Sequence, residues 1–193
     1  RMGSIRFPAK VMRLICGTPM IGLLLNRLAN SKLIDQIVLA TSEAPRNDPL
    51  VKYVCKLGYS VYRGSEDDVL DPYYQAAKEA EADFVVRITG DCPLIDPVVV
   101  DEVISGFLKD KVDYASNIEP PTYPDGLDTE VFTFQALDTA WNQAKAPQER
   151  EHVTLFIRGS NNFSQVNFAN ATDCSDERWT VDEPEDFELI HKV

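Results

Sequence analysis

Five short segments of the chain carry side chains suited to chemistry on phosphate and hydroxyl groups. The first is Arg1-Met2-Gly3-Ser4-Ile5-Arg6-Phe7-Pro8-Ala9-Lys10. Gly3 permits a tight loop whose backbone N–H groups face an anion, and Ser4 adds a hydroxyl donor. Arg1, Arg6 and Lys10 suit a polyphosphate, the arginines forking onto oxygens and the lysine acting as a point charge. The GxxxxGK[ST] spacing of a Walker A loop is absent. A basic surface loop is the competing reading. The second segment, Thr89-Gly90-Asp91-Cys92-Pro93, follows the apolar run Phe84–Ile88. Ligands of open α/β sheets bind at the carboxyl ends of strands. A carboxylate there suits magnesium, which takes one or two carboxylates plus substrate phosphates. A simple turn aspartate is the alternative.

The third segment is Thr180-Val181-Asp182-Glu183-Pro184-Glu185-Asp186. Asp182 with Glu185 three residues on is a capping-box arrangement, which is compatible with metal binding because a carboxylate has two oxygens. The fourth, Pro124 to Glu130, places Asp125, Asp128 and Glu130 at the entry to a strand. These carboxylates fit sugar hydroxyls, a metal, or a solvated turn. The fifth, Arg150-Glu151-His152, reads either as helix surface or as Arg150 and His152 facing a substrate.

Strand-like and helix-like segments alternate and must position these groups. Helices are expected over Met20–Leu28 (opened by Thr18 and Pro19), Asp48–Leu57 (ended by Gly58), Glu66–Ala80 (kinked or started by Pro72) and Pro97–Leu108 (capped by Asp96). Short apolar runs at Ile37–Ala40, Tyr59–Tyr62, Phe84–Ile88 and Asp113–Ser116 read as strands. This alternation predicts an α/β fold, a mostly parallel sheet covered on both faces. The pattern breaks at about 115–170. There the expectation is a proline-rich loop, a strand at Glu130–Phe134, helices at Gln135–Ala144 and Gln148–Ile157, and a strand at Phe163–Phe168. Arg178–Val181 reads as a further strand, with Asp182 opening the last helix. One domain over 1–193 with an excursion is the simplest organisation. The chain opens on Arg1 in a loop-like segment and closes on Val193 within an apolar-periodic stretch, so a preceding strand and a following helical tail are expected.

With 193 residues and a formal charge of −12, the chain suits a soluble globular domain rather than a duplex nucleic-acid binder with a general basic surface. No stretch has the ~18 apolar residues of a membrane span. The charge is unevenly placed. Arg1, Arg6, Lys10, Arg13, Arg27 and Lys32 all precede the first acid, Asp35, which points to a localised anion site; Arg13, Arg27 and Lys32 read as ordinary surface residues. Cys16, Cys55, Cys92 and Cys174 form no CxxC pair and read as free thiols of a reducing, cytoplasmic compartment. Cys16 and Cys55, in apolar runs, are expected in the core. Two histidines exclude a multi-histidine metal site.

Taken in order, these segments resemble the cytidylyltransferases that activate acidic sugars. RMGSIRFPAK at 1–10 resembles their N-terminal R-x-x-S-x-R-x-P-x-K loop, and ICGTPMI at 15–21 is similar to the segment that follows it. ITGDCPLIDP at 88–97 and TVDEPEDF at 180–187 resemble segments of CMP-KDO synthetase. RGSEDDVLDPYYQAA at 63–77, PDGLDTEVF at 124–132 and EREHVTLFI at 149–157 resemble the spore-coat polysaccharide biosynthesis protein F family. The resemblance implies a Rossmann-like, three-layer fold of the nucleotide-diphospho-sugar transferase type. It implies CTP over the N-terminal loop, with Arg1, Gly3, Ser4, Arg6 and Lys10 at its phosphates. Asp91 and Asp182 match the family's magnesium-binding aspartates. Base recognition is expected near Arg63, Arg87 and Thr89, and the sugar near Asp125, Asp128, Glu130, Arg150 and His152. Arg6, Lys10 and Asp91 would carry the chemistry, and a homodimer through the excursion is expected. Two departures stand out: Ala9 where glycine is usual, and Pro72 where arginine is common. Use of another nucleotide, or nucleotide binding without turnover, are the alternatives.

Overall fold

A computed structural model describes residues 2–4 and 6–192. It opens with a 3-10 turn at Lys10–Met12 and a small antiparallel hairpin, β1 (Leu14–Ile15) with β2 (Thr18–Pro19). Helix α1 (Met20–Leu28) follows directly. Thr18 is paired with Ile15 in that hairpin, so Pro19 marks the boundary and no side chain caps the helix. Strand β3 (Val38–Ser42) pairs in parallel with β4 (Ser60–Gly64), and α2 (Asp48–Lys56) makes the crossover that parallel strands require. Helix α3 (Leu70–Glu79), strand β5 (Phe84–Arg87), α4 (Pro97–Asp110) and β6 (Tyr114–Ser116) continue the alternation. The excursion supplies β7 (Glu130–Thr133), α5 (Phe134–Gln143), α6 (Pro147–Glu151) and α7 (Leu155–Gly159). Strand β8 (Gln165–Asn167) and α8 (Pro184–Lys192) complete the described elements.

The four-stranded sheet has the order β5-β7-β6-β8. Strand β7 runs antiparallel to both β5 and β6, while β6 and β8 are parallel. Hence β5, β6 and β8 share one direction, and the reversal is confined to the strand returned by the excursion. Side chains alternate across this sheet. Ala115 and Val131 face the interior shared with α1, α2 and α4, where Val100, Val103 and Phe107 are buried. Their neighbours Tyr114 and Phe132 face the opposite interior, built by Leu70, Tyr74, Leu137 and Ile157 of α3, α5 and α7. The sheet is therefore covered on both faces, and each fully buried side chain of this size contributes ~1.5–3 kcal/mol.

Several local expectations change. Gln148–Ile157 is not one helix: it breaks at His152–Thr154, where Val153 adopts φ 46° and is fully buried. The break carries Val153 into the core and lets Thr154 Oγ1 donate to Glu130 at 2.6 Å, two contacts a continuous helix would not make together. Arg178–Val181 is not a strand. Only an Asp125–Arg178 bridge forms, because the amides of 179–181 donate to the carbonyls of Asp125 and Asp91 instead of to a neighbouring strand. Cys16 and Cys55 are exposed; Cys16 sits at the turn of the β1–β2 hairpin with φ 49°. Pro72 is the third residue of α3, within its first turn, and its ring packs against Gly64. Asp96 caps α4 as expected, accepting from the Val98 amide at 2.8 Å. Among the described helices, none is long and apolar enough to cross a membrane.

Candidate active site

Three loops are sewn together at the carboxyl end of β5. The Val181 amide donates to the Asp91 carbonyl at 2.9 Å, and the Thr180 hydroxyl donates to the same oxygen at 3.3 Å. The Asp125 carbonyl accepts from the Trp179 and Thr180 amides at 2.6 and 3.0 Å. Gly126, with φ 115°, makes the second seam possible, since a Cβ there would lie 2.7 Å from the Thr180 nitrogen. Buried Asn117 fixes the other end of the acidic loop, donating to the Leu127 carbonyl at 2.9 Å and accepting from the Thr129 amide at 2.8 Å. Asp91, Asp125 and Asp182, distant in sequence, thus become neighbours.

Lys10 lies at the centre. Its ammonium donates to Asp91 Oδ2 at 2.9 Å, Asp182 Oδ1 at 2.8 Å and the Val181 carbonyl at 2.7 Å, and the residue is only 6% exposed. The second oxygen of Asp182 accepts from Arg178 at 2.9 Å and pairs with Arg6 at 3.1 Å. Arg178 also bonds Asp125 and Asp186. Arg6 reaches Glu183 at 3.7 Å and keeps a side chain 61% exposed. The capping expectation for Asp182 is corrected. Asp186, not Glu185, accepts the Asp182 and Glu183 amides at 2.8 and 2.9 Å, which leaves the Asp182 carboxylate wholly to cations.

The electrostatics follow from these contacts. Burial alone would raise the Asp91 carboxyl, but Lys10 and the Thr89 hydroxyl outweigh it and hold the group below the usual carboxylate range. Asp182 is likewise lowered, with Lys10, Arg178 and Arg6 overcoming burial. Asp128 behaves oppositely. Burial, with Asp125 and Glu130 adding repulsion, pushes it up to about 6. Asp125 is raised by burial against the pull of Arg178. The Cys92 thiol, buried beside Asp91 and 3.1 Å from Thr89 Oγ1, is pushed up to about 12, which suits packing rather than nucleophilic chemistry.

The N-terminal loop is anchored from below. Buried Asn47 accepts the Met2 amide at 3.1 Å and donates to Ser42 Oγ at 2.6 Å. Ser4 Oγ accepts the Phe7 amide at 3.3 Å, and Arg46 lies where a Cβ on Gly3 would sit. Ala9 occupies the left-handed region, φ 58°, which is the reason glycine is favoured there. Arg1 lies outside the described residues. Arg13, Arg27 and Lys32 are exposed; Arg13 stacks over Phe7, and Arg27 donates to the Ile95 carbonyl at 2.7 Å.

The remaining expected residues lie around this centre. Glu130 is 2% exposed and accepts from Arg87, from Tyr114 at 2.7 Å and from Thr154 at 2.6 Å. Both its oxygens are engaged, and it ties β5, β6 and β7 to the 152–154 break. Arg87 is held by that pair. Arg150 forks onto Asp68 at 2.6–3.0 Å and donates to the Trp141 carbonyl at 2.7 Å. His152 is an exposed residue ending α6. Arg63 bonds Asp48 at 2.8 Å and the Glu43 carbonyl at 2.9 Å, closing the ends of β3 and β4. Asp128 makes none of the hydrogen bonds found among the described residues around it and is partly exposed. Sequence reasoning missed Arg178, Asn47, Asn117 and the Val181 carbonyl. The spacing Arg178-x3-Asp182-x3-Asp186 is visible in the chain, but it has meaning only once the loop turns all three inward.

The residues fit a divalent cation. Two carboxylates and a carbonyl already converge on one positive nitrogen, an all-oxygen set of the kind magnesium takes together with substrate phosphates. Among the described residues no cluster of three or more ligating side chains forms, so substrate oxygens would complete the shell. Known proteins share this sequence pattern and fold. The chain is 33% identical over 198 residues to the spore coat polysaccharide biosynthesis protein SpsF of Bacillus subtilis, covering 98% of this chain and 81% of that one. It superposes on the structure of a cytidylyltransferase from Leptospira borgpetersenii with a TM-score of 0.95 at 34% identity, over 99% of this chain and 82% of that one. It shares its fold with CMP:2-keto-3-deoxy-manno-octonic acid synthetase solved with CTP, TM-score 0.76 at 19% identity, over 100% and 94% of the two chains. The fold is thus the Rossmann-like nucleotidyltransferase fold. The profile of the cytidylyltransferase family matches residues 1–193, and this chain belongs to that family of enzymes, transferring CMP from CTP to a sugar.

Proposed function

We propose that Asp91 and Asp182 hold a magnesium ion and that the 2–10 loop, with Arg6 and Lys10, holds the triphosphate of CTP. A sugar hydroxyl oxygen forms a bond to the α-phosphorus, the bond from that phosphorus to the bridging oxygen breaks, and pyrophosphate leaves while the hydroxyl proton passes to solvent or a nearby base. When bound, magnesium supplies neutralisation of charge on the phosphate oxygens. Arg6, exposed beside Asp182, is free to reorient its fork onto phosphate oxygens. Asp128, half-buried at the mouth of the acidic loop, accepts hydroxyls of the sugar. The single observation that carries the reading is the convergence of Asp91 and Asp182 on one cation within 2.9 Å.

The similarity to a protein named for spore coat polysaccharide biosynthesis supports a surface-polysaccharide sugar as acceptor. We further propose a cytoplasmic site of action, where CTP is available, and a single catalytic domain that pairs with a second copy through the 115–170 excursion. The test is direct. CTP with magnesium raises the melting temperature more than UTP, GTP or ATP do, and mass spectrometry detects a CMP-sugar when candidate sugars are offered. Equal shifts with all four nucleotides, or CTP consumption without a CMP-sugar, overturn it.

A further inference from the structure

The bonding of Lys10 conflicts with a task on a phosphate. An ammonium has three N–H donors. All three are committed: to Asp91 Oδ2 at 2.9 Å, Asp182 Oδ1 at 2.8 Å and the Val181 carbonyl at 2.7 Å. With 7% of its side chain exposed, Lys10 has no donor left for a nucleotide. The same carboxylate oxygens are the ones a divalent cation would need. A metal and an ammonium at hydrogen-bond distance from the same two oxygens would sit within a few ångströms of each other, and like charges that close in a half-buried pocket repel strongly.

We propose that Lys10 is an exchangeable placeholder: in the free protein its ammonium occupies the position of the metal, and loading of the metal ejects it onto the triphosphate. This rests on the reading of Asp91 and Asp182 as metal ligands. The placeholder solves a folding problem as well as a binding one. Asp91, Asp125, Asp128, Asp182 and Asp186 crowd the same three loops, and without a buried cation their repulsion would spread the loops before any ligand arrived. Arg178 serves Asp125, Asp182 and Asp186, but Asp91 has Lys10 as its cation. Exchange also orders the events. The phosphate-binding lysine is released only when the metal is seated, so nucleotide bound without metal lacks one of its cations.

The test follows manganese, as a magnesium substitute, by the loss of its free electron-paramagnetic-resonance signal in the absence of nucleotide. Lys10→Met keeps the apolar stem of the side chain and removes the ammonium that competes. It binds manganese about tenfold tighter than the parent or more, because the parent's site is open only for the fraction of time that Lys10 is out. A second arm needs no variant. Acetylation of Lys10 by an N-hydroxysuccinimide ester, read by peptide mass spectrometry, is slow in the free protein, rises several-fold with saturating manganese, and falls again when CTP is added. Lys10→Met binding manganese no tighter than the parent, together with labelling unchanged by manganese, overturns the placeholder. Asp91→Asn separates the two readings. If it binds manganese as well as the parent does, the metal assignment itself fails; if it loses manganese while Lys10→Met gains none, only the placeholder fails.

Discussion

The amide nitrogen of Thr180 lies 2.7 Å from the point where a side chain on Gly126 would begin. That contact closes the seam between the acidic loop and the segment carrying Asp182, and φ at Gly126 is 115°, a backbone conformation costly for any other residue. Gly126→Ala is therefore expected to destabilise the protein by about 2 kcal/mol or more. It should also lower pyrophosphate release more than tenfold, because the displaced loop carries Asp182 away from Asp91. Thermal unfolding and a pyrophosphate assay on the same preparation check both effects; full activity at unchanged stability would mean that the seam does not position the site.

Asp91→Asn and Asp182→Asn each remove one anionic ligand from the point where Lys10 now sits. CMP transfer should fall on the order of a hundredfold or more in either variant, with CTP-induced stabilisation no longer dependent on magnesium. Both carboxyls are held below their ordinary range. Their contribution to stability is thus present above about pH 4 and lost as pH falls through the lowered folded values. Acid unfolding curves of the two variants should show a shallower loss below about pH 4 than the parent.

Glu130→Gln separates a structural carboxylate from a substrate contact. Arg87 and Glu130 pair with side chains 21% and 3% exposed, and removing one charge leaves the other buried. A destabilisation of about 3–5 kcal/mol is expected, which lowers the melting temperature by roughly 10 °C for a chain of this size. A raised KM for the sugar at an unchanged melting temperature would instead mark Glu130 as a sugar ligand.

Asp128 has the reverse sign. The folded protein keeps its proton until about pH 6, whereas an unfolded aspartate releases it near about 3.9. The folded state therefore holds more protons between these values, and stability falls as pH rises through that window. In the metal-free protein, Asp128→Asn should remove this slope and add on the order of 1 kcal/mol at about pH 7.5, a figure reduced for partial solvent screening. Parallel pH–stability profiles for parent and variant across that window would refute the assignment. Sugar-dependent turnover in the same variant should fall, since the amide put in place of the Asp128 carboxylate offers a single acceptor oxygen where the carboxylate offers both.

The alternation of elements was legible because its signals are local. Asp96 before Pro97 starts α4, Gly58 ends α2, and the apolar runs at 37–40 and 84–88 can be buried only as strands between helices. Where the expectations failed, a distant partner decided. The helix over 148–157 breaks because Thr154 reaches Glu130. The 178–181 segment is not a strand because Asp91 and Asp125 take its amides.

By itself the sequence determined most of the elements and the gathering of basic residues ahead of Asp35. Residue types and short-range periodicity suffice for these, since caps, turns and apolar faces act within a few residues. Only the tertiary structure decided which charges meet. Lys10 lies 81 residues from Asp91 and 172 from Asp182, and no local rule links them. Coulomb energy and burial depend on distance in space, so the convergence of Asp91 and Asp182 on Lys10, the burial of Glu130 against Arg87 and the raised carboxyl of Asp128 exist only after the three loops close on one another.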